Sequence, residues 1–377
     1  MKFLHLADLH LGKRVCEFSM IDDQRAILEQ LRALAEKERV DAVLLAGDIY
    51  DKPSPSAEAV ALFDDFLTGL ADLGVEVFAI SGNHDSAERL AFGARLMSGR
   101  GVFLSRAFSG RVECFSRTDA YGEVQIVLLP FVRPLTVRRF FEGQKIESYT
   151  DAVRAALQTA ELHPDARRVL VAHQFVAGSA RCDSEEISAG GLDAVESAAF
   201  AGFDYVALGH LHGPQSAGAP FVRYCGSPLK YSLSEAGQQK SATLVELRQK
   251  GEAEVRALPL APVRDLRVIR GSYMELTARE NYAGTATDDY LHAVLTDENE
   301  VPEALGRLRA IYPNIMSLAY DNARTRAVQG AAAEPLPALS PEALFCELYE
   351  RQNGGPMQPE QQEVLRQIVN TVWEEEA

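Results

Sequence analysis

The sequence predicts an α/β protein in which polar residues at strand ends build a metal site. Apolar segments typical of buried strands alternate with amphipathic helical segments from residue 1 to about residue 260. Five of these strands end in the same pattern, a small residue followed by Asp, Asn or His. The five strand-end stretches are 7–10, 47–48, 82–85, 172–173 and 209–212. Strands that end in this way place oxygen and nitrogen ligands along one edge of a sheet, so the pattern predicts a site for two metal ions.

Helical periodicity predicts the segments between the strands, because apolar residues recur every three or four positions in each of them. The predicted helices are 22–36, 56–73, 88–97 and 151–161. Ser56 is a candidate N-cap for the second helix, since its hydroxyl can accept a hydrogen bond from a free backbone N–H group. Residues 102–134 are rich in strand-forming side chains, and 224–228 and 241–247 are predicted as two further strands that flank a loop.

A second, smaller α+β module is predicted after Pro259 and Pro262, which mark a boundary. Its predicted order is a strand at 266–276, a strand at 290–295, a helix at 301–311 and a strand at 315–320. The module carries no cluster of metal ligands of its own, so we expect it to bind a substrate or partner. The predicted domains are therefore 1–263, 264–322, a linker at 323–339 rich in Ala, Pro and Gly, and a helical pair at 340–377.

The last segment predicts two short amphipathic helices, the first with Ser340 as N-cap and the second at 359–375. Two interpretations remain open. The helices either pack back on the body of the protein, or they are delivered by the linker to a groove or coiled coil of a partner. The length of the linker and the acidic tail favour the partner.

Composition limits the possible classes of protein. The chain has 377 residues, 47% of them hydrophobic, which suits a globular protein larger than one ordinary domain. No apolar run is long enough to cross a membrane, and the N-terminus enters a strand directly, which is not typical of a signal peptide. Five scattered cysteines predict reduced thiols and a cytoplasmic location. The net charge of −16 is concentrated in 281–300 and 341–377, so it is compatible with phosphate binding without supporting it.

The metal ligands are assigned from spacing and residue type. Asp8 and His10 are two residues apart, as are His210 and His212, so each pair points to one side of an extended backbone. A carboxylate at Asp48 can bridge two cations. The assignment is metal one with Asp8, His10, Asp48 and His212, and metal two with Asp48, Asn83, His173 and His210. Imidazole, carboxylate and amide ligands suit Mn²⁺ or Fe²⁺, with Zn²⁺ as an alternative. Two such ions would stabilise an in-line displacement at phosphorus.

Two residues next to these ligands are candidates for catalysis. His84 is not assigned as a ligand, and it is the candidate general acid that protonates the leaving oxygen. Asp85 has two interpretations of equal weight, as the residue that orients His84 or as one that closes a turn. A basic cluster follows at Arg133, Arg138, Arg139 and Lys145. It is either a solvated loop, which is favoured on its own, or a rim that contacts phosphate.

Together, these motifs resemble the calcineurin-like metallophosphoesterase family. The residues that carry the likeness are Asp8-Leu9-His10, Gly47-Asp48, Gly82-Asn83-His84-Asp85, His173 and Gly209-His210-Leu211-His212. Within that family, His5 to Gly12, Gly47 to Asp51 and Gly226 to Ser241 resemble the SbcD nuclease subunits of bacterial SbcCD complexes. The likeness covers essentially the whole chain.

The resemblance implies a four-layer α/β/β/α sandwich with a small capping domain and C-terminal helices. It further implies a Mn²⁺-dependent 3′–5′ exonuclease and endonuclease that cleaves DNA at double-strand ends and hairpins, located in the cytoplasm with the nucleoid. The implied partners are DNA, the SbcC ATPase subunit bound through the C-terminal helices, and a second copy of the chain bound through parts of 56–73 and 88–98. One position departs from some relatives, because Asp51 stands where they carry a histidine near the DNA; Lys52 is an alternative contact.

Two competing functions remain open at this level. A small-molecule phosphodiesterase or phosphatase of the same family would have the same metal motifs, but it would not need the module after Arg264 or the helical tail. A non-catalytic scaffold with this fold would have lost ligands or the acid, whereas all seven assigned ligands and His84 are present.

Overall fold

The computed structural model describes residues 1–183, 185, 194–326, 341–353 and 355–366. The chain forms two compact units, Met1–Asn322 and Ala323–Ala377. Two six-stranded sheets and a three-stranded sheet lie in the first unit. No helix among the described residues is long and apolar enough to cross a membrane.

The first six-stranded sheet has a parallel half and an antiparallel edge. Its strands are β1 Lys2–Leu6, β4 Ala42–Ala46, β5 Glu76–Ile80, β6 Val102–Leu104, β13 Ser241–Leu247 and β14 Ala253–Pro259. Their order is β14-β13-β1-β4-β5-β6, in which β1, β4, β5 and β6 run parallel and β13 and β14 join antiparallel. A small hairpin, β2 Arg14–Val15 and β3 Phe18–Ser19, follows the first strand.

The second six-stranded sheet has four parallel strands between two antiparallel edges. Its strands are β7 Glu113–Asp119, β8 Gly122–Leu129, β9 Arg167–His173, β10 Tyr205–Gly209, β11 Gln215–Ala217 and β12 Ala219–Tyr224. Their order is β11-β12-β10-β9-β8-β7, and only β7 and β11 run antiparallel to their neighbours.

Three apolar cores confirm the four-layer sandwich. One core lies between the two sheets and contains side chains of both, such as Phe78 from β5 and Ile126 from β8. A second core joins the outer face of the first sheet to helices α1 (Ile21–Glu38) and α2 (Ala57–Asp72). A third joins the outer face of the second sheet to α6 (Tyr149–Leu157). Central strands covered on both faces are continuously apolar, as parallel strands in such sheets are.

The predicted helices are largely confirmed, with one correction. Ser56 caps α2 as predicted, and its hydroxyl accepts a hydrogen bond from the Ala59 N–H at 3.2 Å. The single helix predicted at 88–97 is wrong, because the chain forms two short helices, α3 (Ala87–Leu90) and α4 (Ala94–Met97). Gly93 separates them with a φ of 75°, which a continuous right-handed helix does not allow. A further short helix, α5 (Pro134–Arg138), precedes α6.

The strand predicted at 224–228 is also wrong, because β12 ends at Tyr224. Gly226 has a φ of 79°, and a Cβ atom there would lie 2.6 Å from the carbonyl oxygen of His212. Glycine is therefore required where the chain turns against the fifth strand-end stretch.

The module after residue 263 is a parallel sheet covered by short helices. Its elements are β15 Leu266–Gly271, α7 Tyr273–Thr277, α8 Arg279–Tyr282, β16 Tyr290–Leu295, α9 Ala304–Leu308 and β17 Ile315–Tyr320, and the strand order is β15-β16-β17. The extension of the first strand to 276 is wrong. Ser272 and Glu275 form a capping box that ends the strand region and begins α7.

Two pairs of adjacent residues connect this module to the first strand-end stretch. Asp23 accepts hydrogen bonds from Arg264 at 2.8 and 3.1 Å and from the Tyr290 hydroxyl at 2.7 Å, while its neighbour Gln24 donates to the carbonyl of His10 at 2.7 Å. Lys230 pairs with Asp265 at 2.8 Å. The hydroxyl of Tyr231, next to Lys230, donates to the carbonyl of Leu9.

The second unit contains a helix at Pro341–Asn353 and helical residues at 359–366. The two helical segments contact each other, because the Gln361 amide donates to the Tyr349 hydroxyl at 3.1 Å and Cys346 Sγ lies 3.9 Å from Met357 Sδ. Ser340, the end of the second predicted helix after residue 366, and most of the predicted linker lie outside the described residues.

Candidate metal centre

All seven predicted ligands lie at or just after the carboxyl ends of parallel strands. Asp8 and His10 follow β1, Asp48 follows β4 and Asn83 follows β5. His173 is the last residue of β9, and His210 and His212 follow β10. Parallel strands bring their carboxyl ends to one edge, which is why residues from distant parts of the sequence meet here.

Backbone conformation at this edge is unusual. Four of the seven predicted ligands have positive φ values: Asp8 (54°), His10 (44°), Asp48 (49°) and His210 (101°). This region costs free energy for any residue with a Cβ atom, and such conformations cluster at functional sites. Backbone bonds hold the strained loops together, since the N–H groups of Asp8 and His10 donate to the carbonyls of Gly47 and Asp48 at 3.1 and 3.0 Å.

The residues assigned to metal one form a compact, buried group. One potential ligand atom from each of Asp8, His10 and His212 lies within 4.8 Å of the other two. The Nε2 atoms of His10 and His212 are 3.1 Å apart, so they face the same point. Asp48 Oδ2 lies 3.8 Å from His10 Nε2, which brings the predicted bridging carboxylate to the same group.

The residues assigned to metal two form a second group that shares Asp48. Asp8, Asp48 and His173 also bring ligand atoms within 4.8 Å of one another, and His173 Nε2 is 3.4 Å from Asp48 Oδ2. The Asn83 amide oxygen lies 3.0 Å from His173 Nε2 and 3.1 Å from His210 Nδ1. These two buried groups share Asp8, and Asp48 also lies near His10 of the first group, so they are consistent with a site for two metals.

The pKa values of the buried Asp and His side chains favour binding of a cation. Burial raises the pKa of Asp8 to about 7, and the nearby Asp48 carboxylate acts in the same direction. Burial also lowers the pKa of His210 to about 3 and that of His10 well below its usual value, so both imidazoles are neutral and can offer a lone pair. Burial acts in the same direction on His173, but the Asp48 carboxylate outweighs it and raises the pKa of His173 to about 9. A bound cation would replace that proton.

Hydrogen bonds orient two of the imidazoles toward the cluster. His173 Nδ1 lies 2.8 Å from the carbonyl of Ala46, so it donates there and leaves Nε2 for a ligand bond. His212 Nδ1 lies 3.2 Å from Glu235 Oε1, which likewise leaves Nε2 for the cluster. Glu235 is fully buried, and Lys240 Nζ donates to it at 2.5 Å.

This support for His212 was not predicted from the sequence. Lys240 also donates to the carbonyl of His212 at 2.9 Å, and Glu185 accepts from the His212 N–H at 2.7 Å. The only signal was indirect, since Glu235 and Lys240 lie in the 226–241 stretch on which the SbcD resemblance depends. That stretch builds the surroundings of a predicted ligand.

His84 lies beside the ligands with one ring nitrogen facing them. Its Nδ1 is 3.2 Å from the carbonyl of Asp51, so that atom donates and Nε2 is left for the cluster, 3.9 Å from Asp48 Oδ2. The backbone N–H of His84 donates to the other oxygen of Asp48 at 2.9 Å. Its side chain is 17% exposed, so the ring is not fully buried.

The hydrogen bonds of Asp85 are those of a residue that closes turns. Its carboxylate accepts from the N–H groups of Ile49, Tyr50 and Gly82 at 3.0, 2.9 and 2.9 Å. It therefore fixes the loop after Asp48 against the third strand-end stretch. Any effect of Asp85 on His84 is therefore transmitted through the backbone of these loops. A direct role of Asp85 in orienting the His84 ring stays a prediction.

The predicted basic cluster divides into residues with different surroundings. Arg138 donates to the carbonyl of Ile146 at 2.7 and 3.0 Å, and Lys145 pairs with Glu147 at 3.0 Å. Arg133 lies 5.8 Å from the centre of the Phe131 ring, and that ring lies 6.2 Å from the ring of His173. Of these three basic residues, Arg133 is thus the one that the structure connects to the metal centre.

Comparisons with known proteins agree with the motifs. The calcineurin-like phosphoesterase family matches residues 1–214, and the type 5 capsule protein repressor C-terminal domain family matches residues 262–353. The D subunit of the SbcCD nuclease of Staphylococcus epidermidis (strain ATCC 12228 / FDA PCI 1200) is 33% identical over 322 residues, which cover 84% of this chain and 85% of that protein. Two similar solved structures are a dimetal phosphatase from Danio rerio and TT1561 of Thermus thermophilus. The first is 13% identical with a TM-score of 0.39, and the match covers 69% of this chain and 99% of that chain. The second is 13% identical with a TM-score of 0.40, and the match covers 68% of this chain and 98% of that chain.

Proposed function

Because the chain belongs to the calcineurin-like phosphoesterase family and, within it, to the SbcD nuclease subunits, we propose that it cleaves DNA as a two-metal phosphodiesterase. The observation that carries the proposal is a set of overlapping His and Asp groups that share the buried carboxylates of Asp8 and Asp48. The competing small-molecule hydrolase is not favoured, since the similarity to a nuclease subunit extends over 84% of the chain. The substrates we propose are double-strand ends and hairpins, cleaved as 3′–5′ exonuclease and endonuclease.

In this proposal, the seven predicted ligands hold the metals in the two assigned sets, with Asp48 in both. Their imidazole, carboxylate and amide donors favour Mn²⁺, with Fe²⁺ or Zn²⁺ as alternatives. Two bound cations supply Lewis-acid activation of water and charge neutralisation at the phosphate. The protein orients the ligands through Ala46 and Glu235 and keeps the cluster buried.

His84 is proposed as the general acid. Its Nδ1 hydrogen bond to the Asp51 carbonyl fixes the ring, so Nε2 is the atom that holds the proton for the leaving oxygen. General acid catalysis contributes a factor of about 10² to 10⁴ in rate. His84→Gln is therefore expected to keep Mn²⁺ binding and to lower the cleavage rate by about that factor.

The test is a nuclease assay on hairpin and linear duplex DNA, with Mn²⁺ or Mg²⁺ and with or without the ATPase partner and ATP. His163→Gln is the matched control, because His163 is exposed and pairs with Glu123 away from the cluster. Unchanged cleavage by His84→Gln contradicts the assigned role. Hydrolysis of bis-p-nitrophenyl phosphate without DNA cleavage, even with the partner present, contradicts the substrate.

The membership in SbcCD-type complexes implies an ATPase partner, and we place its contact on the C-terminal helices. Phe345, Leu348 and Val364 are about half exposed in the helical segments of the second unit. Apolar side chains spaced along a helix suit a groove or coiled coil. Phe345→Glu with Leu348→Glu is expected to abolish binding to the partner, as measured by calorimetry, without changing bis-p-nitrophenyl phosphate hydrolysis. Unchanged binding contradicts this placement.

We further propose that two copies associate through α2 and the segment containing α3 and α4. Phe92 and Leu96 are 83% and 85% exposed there, which is unfavourable for large apolar side chains in water. Leu96→Glu is expected to shift the mass measured by sedimentation from a dimer toward a monomer. Lack of a dimer in the unaltered protein contradicts the proposal.

The remaining parts of the predicted organisation are also proposals. They are the division into 1–263, 264–322, 323–339 and 340–377, and a cytoplasmic, nucleoid-associated location. Both are compatible with a DNA-cleaving subunit whose partner binds through its C-terminal helices.

A further inference from the structure

Two phenylalanines contact the imidazoles assigned to metal two. Phe131 follows β8, and its ring centre lies 6.2 Å from that of His173. Phe175 follows β9, and its ring centre lies 6.4 Å from that of His210. The two rings therefore extend the metal centre outward along neighbouring strands.

An exposed arginine lies over each of these rings. The guanidinium of Arg133 is 5.8 Å from the centre of Phe131, and that of Arg181 is 3.9 Å from the centre of Phe175. Arg133 and Arg181 are both exposed to solvent. A single aromatic ring thus contacts both an exposed arginine and a predicted metal ligand in each case.

A ring beneath a guanidinium changes what that arginine can do. Contact with the aromatic face restricts the side chain, so less conformational entropy is lost when the arginine later binds an anion. The N–H groups lie in the plane of the guanidinium, and two of them match two phosphate oxygens. An arginine over an aromatic ring is therefore a prepared phosphate ligand, whereas a mobile surface lysine is not.

We propose that Arg133 and Arg181 bind the phosphates on either side of the one that is cleaved. This inference rests on the proposed function, because it assumes that the metal centre acts on a polynucleotide. It changes the predicted basic rim in two ways. It adds Arg181, which no sequence motif singles out. It leaves out Arg138 and Lys145, whose partners lie within their own segment, and Arg139, which lies over no aromatic ring among the described residues. The two residues position the strand and do not take part in bond cleavage.

The proposed contacts affect only a substrate that carries phosphates next to the one that is cleaved. A DNA strand has flanking phosphates, whereas bis-p-nitrophenyl phosphate has none. Arg133→Gln and Arg181→Gln are each expected to raise KM for an oligonucleotide about tenfold, since a charged hydrogen bond is lost. The kcat for DNA and both parameters for bis-p-nitrophenyl phosphate are expected to stay unchanged. Each substitution is also expected to lower the slope of log affinity against log salt concentration by about 0.7 to 0.9.

The experiment measures steady-state kinetics with Mn²⁺ on both substrates and equilibrium binding of a fluorescent oligonucleotide in the His84→Gln background. Arg139→Gln is the matched control, because Arg139 is an exposed arginine of the same segment. Equal effects on both substrates, no effect on DNA binding, or the same effect from Arg139→Gln overturns the proposal. If the unaltered protein hydrolyses bis-p-nitrophenyl phosphate but not DNA, the proposed function fails, and the binding measurement still decides whether these arginines contact the oligonucleotide.

Discussion

Replacing Glu235 with glutamine tests whether the buried network behind His212 supports metal binding. The carboxylate lies 3.2 Å from His212 Nδ1 and 2.5 Å from Lys240 Nζ, and it is fully buried. Glu235→Gln keeps the size of the side chain and removes its charge. The Lys240 ammonium, 4% exposed, then has no counter-ion at that position.

Two effects of different size are expected. Loss of one partner from a buried ion pair costs about 3 to 5 kcal/mol in the free energy of unfolding. Loss of the carboxylate that orients a ligand imidazole lowers metal affinity about 10- to 100-fold. The double substitution Glu235→Gln with Lys240→Met removes both charges. It is expected to recover part of the stability while metal affinity stays low, because the imidazole still lacks its anionic partner.

The assay is a Mn²⁺ titration of bis-p-nitrophenyl phosphate hydrolysis, together with urea unfolding of the metal-free protein. Glu246→Gln is the control, since Glu246 pairs with Arg248 near the surface of β13. A Mn²⁺ midpoint within twofold of the unaltered protein refutes the argument, whatever happens to stability. A midpoint restored by the double substitution also refutes it, because the defect would then be one of folding alone.

Two further predictions concern packing and pH. Gly82→Ala is expected to displace the predicted bridging carboxylate of Asp48, because a Cβ atom there would lie 2.1 Å from Asp48 Oδ1. Mn²⁺-dependent activity is expected to fall by about 100-fold. Gly99→Ala, with nothing within 4 Å of the added Cβ atom, is the control, and equal activity of the two variants contradicts the reasoning. Although burial opposes it, hydrogen bonding from Arg167 holds the pKa of Asp119 well below its usual range. The stabilisation by Asp119 is thus present above its unfolded pKa and lost in acid. At pH 7 the free energy of unfolding of the unaltered protein is expected to exceed that of Asp119→Asn by about 1 to 2 kcal/mol. Urea unfolding at a series of pH values should show this difference shrinking below about pH 4.

The sequence predicted which residues meet at one edge of the sheets better than it predicted the ends of secondary-structure elements. The candidate ligands could be grouped because parallel strands bring their carboxyl ends together, so a local pattern repeated at strand ends indicates a common location. Element ends depend on single residues. Gly93 divides a predicted helix, and Ser272 with Glu275 begins a helix inside a predicted strand. The second signal was present in the sequence as a Ser-x-x-Glu capping box.

Other features could not be predicted because they depend on tertiary contacts. Glu235 and Lys240 resemble surface residues in sequence, and burial alone makes their ion pair important. Gln24 lies in an amphipathic helix, yet its amide donates to the carbonyl of His10 at 2.7 Å. Arg181 has no neighbouring motif, and its place over Phe175 depends on the fold of the loop after β9.

The buried carboxylate of Asp23 has a consequence for how this protein can be recombined with its relatives. Asp23 is 2% exposed, and the side chains that donate to it, Arg264 and Tyr290, both come from beyond the predicted domain boundary. A chimera that replaces residues 264–322 with those of another family member keeps this acid in place. Such a chimera is expected to fold only if the introduced segment supplies a cation and a hydroxyl equivalent to those of Arg264 and Tyr290. Helix α1 and the small parallel sheet are therefore expected to be exchangeable only as a pair.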